Sequence, residues 1–252
     1  MTTFAERLIR FDTCFNFRDL GGYETDDGRR VRWKTLYRAD TLHRLDGPDL
    51  ELFLGLGLRS VIDLRSKHEL DDHGRFGHDG ALVVHHMPMI DVVGGPKRLV
   101  EPAPGAPQQS VGEGYIAMAD EGRRAIGNAV ALLAQPGALP AVFHCTAGKD
   151  RTGILAAILL SAIGVPDDDI VDDYMLTGES RAVRNAYLRV HEPDYYAFLA
   201  NLPATVREMH GDAIPTVLAW LRARHGSVPG FLLANGVDED ALAALKANLL
   251  EA

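Results

Sequence analysis

The sequence predicts an α/β fold: a central, mostly parallel sheet flanked by helices, followed by a C-terminal helical cap. Three observations carry this. Short apolar runs of strand length alternate with helical stretches up to about residue 165, and no convincing strand follows Pro166. The composition, 46 % hydrophobic and 24 % charged over 252 residues, is that of a globular chain able to bury a full core. No internal repeat or composition break divides the chain, so residues 1–252 read as a single domain.

Asp46-Gly47-Pro48-Asp49 caps a short helix through Leu56. Arg59–Leu64 and Ala81–His86 then read as strands. Residues 92–114, with Gly94-Gly95-Pro96 and then Pro102, Pro104, Gly105 and Pro107, read as a flexible surface loop. Tyr115–Gln135 is one long helical segment stopped by Pro136-Gly137. Ala141–His144 is a short buried strand, and Ile154–Ile163 an apolar helix ended by Gly164, with Pro166 beyond. Asp167–Asp169 can cap a helix running to Leu176. Further helices at Arg181–Val190, Ala204–His210, Pro215–His225 and Asp238–Leu250 complete a cap over 166–252.

Composition also excludes functions. With 26 Lys+Arg against 35 Asp+Glu, the net charge of −9 argues against a nucleic-acid binder, which needs a basic face to neutralise phosphates. Two cysteines, Cys14 and Cys145, are too few for a disulfide scaffold and lack the Cys/His spacing of a zinc site. Glu6, Arg7 and Arg10 interrupt the N-terminus, where a secretory signal needs about 7–15 apolar residues. Ile154–Ile163 is about half the ~20 residues of a spanning helix. These residues predict a cytoplasmic protein without stable membrane insertion, export by a signal-less route staying open.

The chemistry sits in His144-Cys145-Thr146-Ala147-Gly148-Lys149-Asp150-Arg151-Thr152-Gly153, placed between a buried strand and a helix N-terminus. A Cys followed after five residues by an Arg is the arrangement a phosphate ester requires. Backbone N–H groups of Thr146 to Arg151 can form a nest, and the helix N-terminus adds its positive end. Arg151 can offer a bidentate fork to two phosphate oxygens. The same groups favour the thiolate of Cys145, which is then a nucleophile for phosphorus. Gly148 lets the backbone bend where a Cβ would obstruct the anion, and the Thr152 hydroxyl can meet the sulfur as it leaves. A nucleotide-binding loop fails, because the glycine and hydroxyl positions it needs around Gly148-Lys149 hold Phe143 and Asp150. Nothing calls for a metal or cofactor.

This stretch resembles the signature loop of the protein tyrosine phosphatase superfamily, in the bacterial version with Gly-Lys-Asp-Arg-Thr-Gly at 148–153. Asn16–Gly22, Leu36–Asp40, Val61–Ser66, Asp172–Leu176 and Gly226–Leu232 resemble further landmarks of that branch, so the likeness spans most of the chain. The resemblance implies a phosphatase-like sheet, a nucleophile at Cys145, phosphate binding by Arg151 and the loop amides, and orientation by His144. It implies a general acid at Asp150, with Asp91 as the alternative on a separate loop. It also implies a phosphate contact for Lys149, a place for Arg18 near the loop, and as substrates phosphorylated proteins, phosphoinositides or small phosphate esters, with phosphate ion as product. Asp150 could instead pair with Arg18, and a disulfide between Cys14 and Cys145 would protect the thiolate. Two other functions stay open: a rhodanese-type sulfurtransferase, which also heads an anion cradle with Cys, and a non-catalytic phosphate-binding module.

Overall fold

The computed structural model describes residues 4–77, 80–90 and 110–252. Strands β3 (Leu36–Ala39), β4 (Ser60–Asp63) and β6 (Ala141–His144) are buried at every position, which is why β4 and β6 read as strands without alternation; β3, with Arg38 inside it, was not expected from the pattern. They form the middle of a five-stranded sheet whose order is β1-β3-β6-β4-β5, with β1 at Arg18–Asp19 and β5 at Val83–His86. All neighbours are parallel except the antiparallel β1–β3 pair. In register, Ala39 and Asp63 flank His144, so the chain leaves three adjacent parallel strands at one level. That edge, at the carboxyl ends of the strands, is where open α/β sheets place ligands.

The helices are α1 (Phe4–Arg7), α2 (Gly47–Gly55), α3 (Lys67–His73), α4 (Val111–Glu121), α5 (Arg123–Ala134), α6 (Asp150–Ile163) and α7 (Asp167–Met175). A 3-10 turn, Leu176–Gly178, leads into α8 (Arg181–His191), α9 (Pro193–Ala200), α10 (Ala204–Arg207), α11 (Ala213–His225), α12 (Val228–Leu233) and α13 (Glu239–Leu249). Helix α6 is buried on all sides from Thr152 to Leu160, as its apolar periphery demands. It packs against α4, α7, α11, α12 and α13 on one face of the sheet. The other face carries an aromatic cluster in which Phe53 of α2 meets Phe76 and Phe17 edge-on, at ring separations of 5.0 and 6.0 Å.

Several expected boundaries move. The helical segment over Tyr115–Gln135 is two helices, α4 and α5, that meet at Gly122. A Cβ on Gly122 would lie 3.0 Å from the Met89 carbonyl, so the bend depends on close backbone approach. Helix α4 begins at Val111, capped by a reciprocal Ser110–Glu113 box, so 110–114 are not loop; the rest of the expected loop, 92–109, lies outside the described residues. The C-terminal region does contain a strand: β7 (Leu250–Glu251) pairs antiparallel with β2 (Arg30–Val31). Two residues are too few to show an alternating pattern. Asp46 occupies the N-cap of α2 without a side-chain bond, while Asp49 accepts from the backbone N–H groups of Asp12 and Thr13 at 3.0 and 2.8 Å. Helices α3, α9 and α12 were not expected from the pattern.

Phe53→Ala should lower unfolding free energy by about 3–5 kcal/mol in a denaturant titration, because it empties the centre of the aromatic cluster. A loss below about 1 kcal/mol would show that this face is not packed as described.

Candidate active site

Cys145 is the first residue beyond β6 and is buried, 1 % exposed. From there the chain turns through Thr146–Gly148 and enters α6 at Asp150, with Lys149 at the N-cap position. Gly148 has φ +63°, and a Cβ there would lie 2.7 Å from both the Ala39 carbonyl oxygen and Asn16 Nδ2. Its own carbonyl is held from two sides, by Arg38 Nη2 at 2.9 Å and Asn16 Nδ2 at 3.0 Å. The landmarks at Asn16–Gly22 and Leu36–Asp40 thus build the floor under the loop.

Beneath that floor is a buried charge network. The Asp173 carboxylate of α7 accepts from Arg18 Nε at 3.1 Å and from Arg38 Nη1. All three side chains are at most 1 % exposed. Burial works against the Asp173 charge, but the two guanidiniums outweigh it and hold the carboxyl at about 2. Arg38, pushed down to about 10 by burial and by Arg18, stays charged at neutral pH. Arg18 therefore belongs to the support of the loop and pairs with Asp173 instead of Asp150. Among the described residues Asp19 has no side-chain ion pair; it accepts backbone N–H bonds from Gly21 at 2.7 Å and Lys34 at 2.6 Å.

On the open side, Arg151 meets Glu69 of α3 in a bidentate pair, Nη1 to Oε2 at 2.6 Å and Nη2 to Oε1 at 2.7 Å. Thr146 Oγ1 donates to the same carboxylate. Burial would raise the Glu69 carboxyl, but the bonds from Arg151 and Thr146 win and hold it well below the ordinary range. Glu69 was not singled out by sequence reasoning. Its legible signal was the capping box with Ser66, whose N–H it accepts at 2.8 Å while also reaching the loop.

Asp150 accepts from the Tyr115 hydroxyl of α4 and lies 3.5 Å from Lys149 Nζ, both at Oδ1. The Lys149 ammonium donates to the carbonyls of Val206 at 2.6 Å and Glu208 at 2.9 Å, so it ties the loop to the cap. His144 is fully buried, held neutral by desolvation, with Nδ1 3.2 Å from the Cys145 carbonyl oxygen and Nε2 3.6 Å from Asp63 Oδ2. Thr152 Oγ1 is buried and has no hydrogen-bond partner among the described residues. Asp91 lies outside the described residues. Cys14 and Cys145 are both free thiols; Cys14 Sγ donates to Asp40 Oδ1 at 2.8 Å, and burial and that carboxylate push its thiol upward.

A cavity of about 260 Å³ opens over the loop. Cys145, Ala147, Asp150 and Arg151 form its base, and α8 and α9 of the cap supply Arg184, Leu188, Tyr195 and Phe198 to its wall. Arg184 Nε is buried with no hydrogen-bond partner among the described residues.

Removing Asp173 leaves two buried guanidiniums facing each other. Asp173→Ala should cost about 3–5 kcal/mol in chemical unfolding. Because the folded carboxyl is depressed, its contribution is complete above the unfolded value of about 4 and fades as pH falls toward 2. Asp173→Asn should therefore flatten the acid limb of the stability–pH curve; a limb identical to that of the unaltered protein would overturn this assignment.

Comparison with known proteins agrees with this geometry. A sequence model of the tyrosine phosphatase family matches residues 9–251. A Cupriavidus necator protein provisionally named a tyrosine-protein phosphatase is 33 % identical over 232 residues, covering 89 % of this chain and 82 % of its own. The triple specificity protein phosphatase PtpB of Mycobacterium tuberculosis is 28 % identical over 275 residues, covering 94 % and 97 %. A tyrosine-protein phosphatase of Nostoc commune is 28 % identical over 239 residues, covering 85 % and 74 %. With a Cys-x5-Arg loop at the carboxyl edge of a parallel sheet and a family match over nearly its whole length, the chain belongs to the tyrosine phosphatase family and is a phosphoric monoester hydrolase.

Proposed function

We propose that the chain hydrolyses phosphate monoesters through a phosphocysteine intermediate, with Cys145 as nucleophile, Arg151 and the amides of 146–151 as the phosphate cradle, and Asp150 as general acid. The observation that carries this is the single loop on which all three side chains stand, with Arg151 oriented by Glu69 and opening on one cavity. The Cys145 thiolate attacks phosphorus while the ester P–O bond breaks and the leaving oxygen takes the proton of Asp150. Water then attacks the phosphocysteine, its proton passes to the Asp150 carboxylate, and the S–P bond breaks to release phosphate and thiolate. Thr152 Oγ1, buried and unpartnered, is placed one residue after Arg151 and is free to donate to the departing sulfur. The aromatic and aliphatic cap residues around the cavity favour phosphotyrosine as the principal substrate, with phosphoserine and phosphothreonine smaller occupants of the same cradle.

A second substrate reading, phosphoinositide hydrolysis, has its own support. Lys149 is engaged by the cap carbonyls, whereas Arg184 faces the cavity with Nε unpartnered among the described residues. A second phosphate on the same molecule would find its partner there. The name of the mycobacterial relative is compatible with a broad substrate range but speaks for that protein alone.

Cys145→Ser should abolish turnover of an aryl phosphate while retaining binding of an oxyanion phosphate analogue, and Arg151→Ala should lose both; residual turnover by the serine variant near the original rate would sink the covalent mechanism. Asp150→Asn should slow alkyl phosphates by about 100-fold or more and activated aryl phosphates far less. Equal losses on both would remove Asp150 as the acid. Arg184→Leu should lower kcat/KM for a bisphosphorylated inositol lipid by about tenfold relative to an aryl phosphate, and an unchanged ratio would reject the second substrate reading.

A further inference from the structure

Tyr115 and Tyr174 form a hydrogen-bonded chain that ends on Asp150 and that no part of the hydrolysis just described uses. Tyr115 of α4 is 4 % exposed and Tyr174 of α7 is 1 % exposed. Their rings meet edge-on at 6.1 Å, and their hydroxyl oxygens are 2.7 Å apart. Tyr115 donates to Asp150 Oδ1, so its oxygen is left to accept, and Tyr174 is the donor to it. The direction of the protons in this chain is thus set from its acceptor end, the Asp150 carboxylate.

The chain acts on one oxygen of two. Tyr115 and the Lys149 ammonium, the latter 3.5 Å away, both face Oδ1. A proton on Oδ1 would meet a donor and a cation; a proton on Oδ2 meets neither. We infer that Tyr115, backed by Tyr174, is a positioning residue that confines the transferable proton of Asp150 to Oδ2 and holds the carboxyl plane toward the cavity. The inference rests on the reading of Asp150 as general acid. Gly153 fits the same arrangement: a Cβ there would lie 2.9 Å from Tyr174 Cδ2, so the glycine after Thr152 leaves room for the second tyrosine ring against the first turn of α6.

The charged and titratable groups facing Asp150 are Tyr115 from α4, Tyr174 from α7, and Lys149 and Arg151 of its own segment; Cys145 and the cap residues Arg181 and Arg184 share its cavity. Lys149 and Arg151 remain when Tyr115 is replaced by Phe, so the change isolates one O–H donor. That donor bonds Oδ1, and its loss frees the carboxyl to rotate and to carry its proton on either oxygen.

The test is the pair Tyr115→Phe and Tyr174→Phe, each assayed with an alkyl phosphate and an activated aryl phosphate across pH. For Tyr115→Phe the alkyl-to-aryl ratio of kcat should fall about tenfold, a part of the whole general-acid effect, with a displaced basic limb of the kcat–pH profile. Tyr174→Phe, which frees the Tyr115 hydroxyl to rotate, should change both in the same direction and by less. A structural role alone would lower thermal stability and leave ratio and limb where they were; that outcome in both variants overturns the inference. Should Tyr115→Phe not fold, Tyr174→Phe decides by the same two readouts. Asp150→Asn run alongside separates the failures. If its losses do not depend on the leaving group, the acid assignment falls; if they do and the tyrosine variants show nothing, only the positioning role falls.

Discussion

One buried carboxylate holds the catalytic end of this protein together. Asp173 collects Arg18 from β1 and Arg38 from β3, which joins the N-terminal segment, the sheet and the first cap helix at one point. An isolated charge in such a place would cost several kcal/mol, so none of the three could be buried without the others. What the triad secures is the signature loop above it. Arg38 spends one amine on Asp173 and another on the Gly148 carbonyl, and Asn16, bonded to Arg18, takes the same carbonyl from the other side. Residues as far from Cys145 in sequence as Asn16 and Arg38 thereby shape the loop that follows it.

The functional half of the molecule is assembled in layers from that point. Strand register brings Ala39, Asp63 and His144 level, so the loop, the Glu69 helix and the Asp40 turn open on the same edge. Glu69 holds Arg151 by two bonds, a rigid fork that a lysine could not reproduce. The cap then closes the cavity from above, with Lys149 bonded to its carbonyls. A chain with a net charge of −9 can therefore cradle a dianion, because the relevant field is made by a few inward-facing groups.

Much of this was legible in the sequence. The strands at 60–63 and 141–144, the helix ending at Gly164, the parallel character of the sheet and the Cys-x5-Arg loop all carry local signals: apolar runs, a left-handed C-cap glycine, fixed spacing. What was not legible depends on distance. Glu69 reads as a capping residue because its Ser66 partner is three positions away, while its contact with Arg151 crosses 82 positions. Tyr115 and Tyr174 look like ordinary core aromatics until α4 and α7 are laid together. The bonds from Lys149 to Val206 and Glu208 were equally hidden, because nothing near Lys149 in sequence announces those carbonyls. The β2–β7 pair escaped for a further reason besides its separation in sequence: each strand is two residues long.

Two arginines against one aspartate leave the buried network with one excess positive charge. Mobile ions treat this charge and the surface charge differently. At physiological ionic strength, salt damps interactions between exposed groups beyond about 8 Å, yet it does not penetrate to side chains in the interior. Rising ionic strength therefore weakens the repulsion that an acidic exterior exerts on an approaching phosphate ester. The pull of the interior is left in place. Once an ester is inside the cavity, its interaction with the buried charges is in this respect less exposed to salt than it would be in a cradle built from surface lysines.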